Sequence, residues 1–243
     1  MSRYKLIIEY DGTNYQGWQS QPTGNTVQDV MEMAMCTLFS EPISLVGSGR
    51  TDKGVHAYGQ VAHFDANTKI LPTRMARAIN MYLPEDIRVK KAEKVSDDFH
   101  ARFDAKRKTY LYKLYIDDIP SAINRHHAHQ VYGNVDIKLM QEACKHFVGT
   151  HDFYAFSSKS DKEDTVRTLY SVDMQVDGNN IEIYITGDGF LYNMVRVIVA
   201  TIIEVGKGKI KLEDIDKIFL SKDRSKSGKR LTAEGLYLVS VDY

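Results

Sequence analysis

The chain has 243 residues, 43% of them hydrophobic and 26% charged, which excludes general disorder and a disulfide-built miniprotein. Lys plus Arg and Asp plus Glu both number 32, so the net charge is zero. A polycation that coats nucleic acid is thereby excluded, and any RNA or DNA site must be a local patch.

Residues 4–10 (YKLIIEY) predict a strand, and the N-terminus lacks the apolar core and cleavage site of a signal peptide. A turn-rich segment, 11–25, follows. Thr26 is placed to cap a helix over 27–39, with Asp29 as its capping-box partner. The Met-rich run at 31–35 in that helix reads as core filler. ISLVGSG (43–49) predicts a strand running into the loop GRTDKGVHA (49–57), and GQVAHFDA (59–66) a further strand. PTRMARAINMYL (72–83) reads as a helix opened by proline, and DIRVKKAEKV (86–95) as a strand.

The second half begins near 104. KRKTYLYKLYID (106–117) alternates, with Tyr110, Tyr112, Leu114 and Ile116 on one face. DIKLMQEACKHFVG (136–149) predicts a helix ending at glycine, and 168–187 a hairpin around Asp177-Gly178. A helix over 190–205, a polar helix over 211–221, a flexible basic stretch at 222–230 and a strand at 235–243 complete the chain. FLYNMVRVIVATIIEVG (190–206) is too short for a membrane span and carries Asn193, Arg196 and Glu204, so it reads as a buried helix.

Both halves run strand, loop, helix, strand, and their helices share a Cys-x-x-Phe register at Cys36/Phe39 and Cys144/Phe147. The pattern predicts an α+β class: two subdomains, 1–103 and 104–243, sharing a mostly antiparallel sheet. The two cysteines lie in no CxxC or metal-spaced cluster and read as reduced, mostly buried thiols of a cytoplasmic protein.

Three patterns carry possible chemistry. In GSGRTDKGVHA, Arg50, Asp52 and Lys53 lie among Gly47, Gly49 and Gly54, with His56 after. A carboxylate beside two cations stays ionised, which suits a nucleophile or base and equally suits surface salt bridging. Neither a phosphate-binding P-loop nor the dinucleotide fingerprint is present. KRKTYLYKLY interleaves cations and aromatics, as unstacked RNA bases and their phosphates require, or as a strand with one buried aromatic face would show. Arg196 lies in the most apolar helix and must pair with a structural partner or with an active-site carboxylate. HHAH (126–129) has no supporting ligand spacing, so no metal site is expected there.

Together the segments YDGTNYQGWQSQP (10–22), TVQDVME (26–32), GRTDKGVHA (49–57), RKTYLYKLY (107–115), GTHDFYAF (149–156), VRTL (166–169), GFLYNMVRVIVATIIEVGKG (189–208) and EGLYLVSVDY (234–243) resemble the TruA family of tRNA pseudouridine synthases. The resemblance implies an α/β pseudouridine synthase fold with two pseudo-symmetric, ferredoxin/RRM-like halves and a central cleft. It implies a cofactor-free, metal-free homodimer, with no membrane association, that isomerises uridines at positions 38, 39 and 40 of the tRNA anticodon stem-loop. By motif match, Asp52 is the catalytic aspartate, Arg50 and Arg196 are its electrostatic partners, Tyr110 packs on the target base and Leu236 lines the pocket. LTAEGLYL (231–238) departs from the family's Ala-Pro-Pro-x-Gly-Leu-Tyr-Leu, which implies a looser loop before Leu236, and VYGNVD (131–136) lacks a tryptophan often found there.

Two other classes compete: a non-catalytic RNA-binding module with RRM-like halves, and a glycosidic-bond hydrolase. The hydrolase needs a second carboxylate, for which Asp65 and Asp104 are the nearest candidates. For an RNA substrate, two segments are locally basic. Lys106, Arg107 and Lys108 belong to the first, and Lys226, Lys229 and Arg230 to the second, whose serines and Gly228 predict a mobile loop gripping phosphates.

Overall fold

The computed structural model describes residues 1–158 and 164–243. In chain order the elements are β1 (Ser2–Tyr10), α1 (Val27–Phe39), β2 (Val46–Gly47), β3 (His56–Ala66), α2 (Pro72–Asn80) and β4 (Ile87–Lys94). There follow β5 (Arg107–Ile116), β6 (His129–Val131), α3 (Ile137–Lys145), β7 (Gly149–Asp152), β8 (Val166–Asp177) and β9 (Asn180–Gly187). The chain closes with α4 (Met194–Gly206), α5 (Asp214–Ser221) and β10 (Leu236–Asp242). The class is α+β with mostly antiparallel strands. Among the described residues, no helix is long and apolar enough to cross a membrane.

The chain folds as two units, residues 1–106 with 237–243, and residues 107–236. The division expected from the sequence, 1–103 and 104–243, differs chiefly at the end of the chain. Tyr237 and Leu238 of β10 pair in parallel with His56 and Ala57 of β3, which carries the last seven residues into the first unit.

In the first unit the strand order is β4-β1-β3-β10, with β2 also on β3. β1 buries Tyr4, Leu6, Ile8 and Tyr10, the alternation of a strand with one covered face. β3 is buried at nearly every position and starts at His56, three residues before the predicted strand. A strand covered on both faces does not alternate, so its start is invisible to a period-two pattern. Thr26 and Asp29 close the predicted capping box on α1. Its buried set is Val27, Gln28, Met31, Ala34 and Met35. This turns Cys36 outward, so that thiol is exposed, contrary to the expectation that both cysteines are buried. Cys144 is buried, and burial pushes its thiol up to about 12.

In the second unit the order is β5-β9-β8-β7, with β6 in parallel beside β5. Tyr110, Tyr112 and Leu114 of β5 face Ile185, Ile183 and Ile181 of β9. The predicted hairpin turns at Gly178-Asn179, between Asp177 and Asn180. α4 is buried at every position except Glu204. It begins at Met194 and not at 190, because Asn193 takes a left-handed φ of 60° that interrupts the turn before it.

His63 on β3 is 4% exposed, and its Nδ1 accepts the Ala101 N–H at 3.1 Å. Burial lowers its pKa, helped by Arg3 and His100. A base depressed in the native state contributes stability that is present above its unfolded value near 6.5 and lost as the pH falls. Between pH 7.5 and 5.5 the urea midpoint of the protein is therefore expected to drop further than that of His63→Phe. An equal drop in both proteins contradicts this account.

Candidate functional site

The aspartate loop lies in the first unit between β2 and β3. Its entrance is sealed by buried Ser48, whose N–H donates to Val61 O at 2.7 Å and whose hydroxyl donates to Gln60 Oε1 at 2.7 Å. Gln60 Nε2 in turn donates to Gly49 O at 3.0 Å. Thr51 is buried, accepts the Trp18 N–H on its carbonyl at 3.1 Å, and shares a 2.8 Å hydroxyl bond with Tyr10.

Asp52 comes next and is half-buried. Its carbonyl accepts the Val55 N–H at 3.1 Å, closing a turn over Lys53-Gly54, and Gly54 has the φ of +76° that a type II turn requires at that place. Gly17 backs the loop at a φ of +101°, where a Cβ would lie 2.4 Å from Thr51 O. The backbone on both sides of Asp52 is thus fixed by hydrogen bonds and close packing. Arg50 is exposed on the same loop. His56 leaves the loop with Nδ1 at 3.1 Å from both Gly12 N and Asp11 Oδ1, and its ring stacks on Tyr237 at 4.6 Å.

The other expected site residues lie in the second unit, apart from Lys106. Tyr110 is half-buried on β5, edge-to-face with Phe190 at 5.0 Å. Arg196 is 7% exposed in the first turn of α4. Its Nε donates to Leu231 O at 2.7 Å and its Nη1 to Asn193 Oδ1 at 2.9 Å. Both acceptors are uncharged, so these bonds orient the guanidinium without cancelling its charge. Leu236 is buried at the start of β10, its N–H on Ala233 O at 2.9 Å.

The segment before Leu236 is not the looser loop that its departure from the family pattern implies. Tyr112 donates its hydroxyl to Thr232 O at 2.8 Å, Lys113 N donates to Gly235 O at 2.8 Å, and Arg196 holds Leu231 O. His129 Nδ1 lies 2.9 Å from the Thr232 hydroxyl, so the HHAH segment contributes a strand and an anchor.

The stretch 222–230 is likewise no mobile loop. Asp223 caps a short helical turn at Arg224–Lys226. Ser227 and Gly228 are buried, with the Ser227 hydroxyl on Ala155 O at 2.6 Å and Gly228 N on Thr201 Oγ1 at 2.9 Å. A Cβ on Gly228 would lie 2.5 Å from the backbone of Ala200 and Thr201, which is why glycine stands there. Serine and glycine here serve close approach to α4 and not flexibility. Lys226, Lys229 and Arg230 remain exposed on this anchored segment. So do Lys106 and Arg107, whose guanidinium carbon lies 4.6 Å from the Tyr170 ring centre, while Lys108 is half-buried.

Sequence reasoning missed the supports: Tyr10 under Thr51, Gln60 under the loop entrance, Tyr112 under Thr232. Each reaches its partner over 11 to 120 residues of chain, and no local pattern announces such a pairing.

A family model described as tRNA pseudouridine synthase matches residues 6–104 and 143–243. A protein of Acetivibrio thermocellus named tRNA pseudouridine synthase A is 49% identical over 244 residues, covering 100% of both chains. Relatives of the same name from Ruminiclostridium cellulolyticum and Caldicellulosiruptor saccharolyticus are 45% and 47% identical, again over 100% of both chains. Among solved structures, a Cbf5-Nop10-Gar1 complex aligns with 82% of this chain and 45% of that chain at a TM-score of 0.37 and 12% identity, too slight a likeness to build on. The chain belongs to the tRNA pseudouridine synthase family.

Gly17 tests the backing of the aspartate loop. Gly17→Ala combines a strained φ with a clash against Thr51 O, and is expected to cost about 1–3 kcal/mol in chemical denaturation while lowering turnover more than substrate affinity. Wild-type stability and turnover would show that the loop does not depend on that contact.

Proposed function

We propose that this chain isomerises uridine to pseudouridine at positions 38, 39 and 40 of the tRNA anticodon stem-loop, as a cytoplasmic homodimer, with Asp52 as its catalytic carboxylate. The observation that carries the reading is the full-length similarity to relatives named tRNA pseudouridine synthase A, together with the intact loop that fixes the backbone of Asp52.

In the reaction the N1–C1′ bond of uridine breaks, the uracil turns, and C5 bonds to C1′. C5 loses a proton and N1 gains one, so product and substrate are isomers and no energy carrier is needed. An ionised Asp52 attacks C1′ or removes the C2′ proton; either route leaves negative charge on the departing uracil. Arg50 and Arg196 keep the carboxylate ionised and placed, a task for a planar, permanently charged group. Tyr110 supplies a ring for the base and a hydroxyl for proton transfer, and Leu236 an apolar wall. Extracting the base from its stem costs a few kcal/mol. Phosphate contacts from Lys106, Arg107, Lys108, Lys226, Lys229 and Arg230 offset it.

Labelled uridine in a tRNA transcript separates the classes: an isomerase yields pseudouridine, a hydrolase frees uracil, and a binding module yields neither. Asp52→Ala is expected to bind tRNA and form product at under about 1% of the wild-type rate. Tyr110→Phe should keep affinity and lose turnover, and Arg196→Lys should lose turnover because a fork of donors becomes a point charge. Wild-type rates in these variants would move the chemistry elsewhere.

Salt dependence tests the RNA path. Reversing Lys226, Lys229 and Arg230 to Glu should weaken tRNA binding and flatten the slope of log affinity against log salt by about 0.7–0.9 per lost phosphate contact. An unchanged slope would assign the RNA path to the strand cations alone.

A further inference from the structure

Asn193 occupies a position where three requirements coincide. Its φ of 60° and ψ of 9° lie in the left-handed region, which costs least for glycine and, among residues with side chains, for asparagine and aspartate. It is 7% exposed. Its side chain works at both ends: Oδ1 accepts from Arg196 Nη1 at 2.9 Å, and Nδ2 donates to the Ser158 hydroxyl at 2.9 Å. Ser158 is itself held by its N–H on Tyr192 O at 2.9 Å. Between the guanidinium and that serine the amide accepts at one end and donates at the other, and it does so without charge.

We propose that Asn193 is a positioning residue for the isomerisation: with Leu231 O, its amide fixes the orientation of the Arg196 guanidinium without itself bringing a charge to it. A carboxylate at 193 would accept the same hydrogen bond but cancel the charge. The inference rests on the function proposed above, in which Arg196 acts on the reacting aspartate.

The left-handed backbone makes the test clean, because glycine and aspartate both satisfy it. Asn193→Gly is expected to keep the melting temperature and the KM for a tRNA transcript within twofold, and to lower kcat at least tenfold. Asn193→Asp, which retains the acceptor, should lower kcat by at least as much. In the Arg196→Lys background, Asn193→Gly should cost much less than it does alone, since the group it positions is gone.

Wild-type kcat in a folded Asn193→Gly protein, unimpaired turnover in Asn193→Asp, or losses that multiply independently with Arg196→Lys would each overturn the proposal. Should Asn193→Gly fail to fold, Asn193→Asp decides alone. Wild-type protein run in parallel separates the two readings. If it forms no pseudouridine, the proposed function and this role fall together; if it does and the variants match it, only this role falls.

Discussion

The second unit is organised by one buried cation. Every position of α4 but Glu204 is buried, and Arg196 sits in its first turn. A guanidinium taken out of water costs several kcal/mol unless its donors find acceptors. Two acceptors come from places the hydrophobic pattern of the helix does not supply: the Asn193 amide and the Leu231 carbonyl. The second requires the chain to return past α4 at residue 231. Gly228 allows that return by lying against the backbone at Ala200 and Thr201, and the Tyr112 hydroxyl and Lys113 N–H hold it afterwards. The path between α5 and β10 is therefore dictated by a charge on a different element.

The first unit solves the complementary problem with backbone. A carboxylate used as the proposed function uses Asp52 needs a fixed Cα. Trp18 N on Thr51 O, Val55 N on Asp52 O and the contact with Gly17 place the loop through main-chain groups and neighbouring residues. The Tyr10–Thr51 hydroxyl bond adds a side-chain tether one residue away.

These supports mark the limit of what the sequence revealed. β1, α1 with its capping box, β5 and the Asp177-Gly178 hairpin were legible because period, cap and turn chemistry are local. The family resemblance also singled out Asp52, Arg50, Tyr110, Arg196 and Leu236, the residues on which the proposed function draws. The misreadings share one cause. Ser227 and Gly228 look like a flexible linker by composition, and only the Thr201 hydroxyl and the Ala155 carbonyl, far along the chain, make them an anchor. The same holds for β6 and β7, three and four residues long, which exist because β5 and β8 offer them edges. β10 read as a strand, but its place in the first unit follows from pairing with β3 and from the stacking of Tyr237 on His56, neither of which its own residues announce.

The carboxylates of the first unit also bear on the kind of chemistry available. A glycosidic-bond hydrolase needs a second carboxyl that is protonated at working pH and close to the first. Asp65 is the opposite: Arg3 holds both its oxygens, at 2.8 and 2.7 Å, and that bonding keeps its pKa below the ordinary value. It also sits nine residues beyond His56 on β3, about 30 Å along an extended strand. Asp104 is exposed and accepts the His100 N–H at 2.8 Å, as a turn residue does. Asp65 is therefore not an acid in waiting.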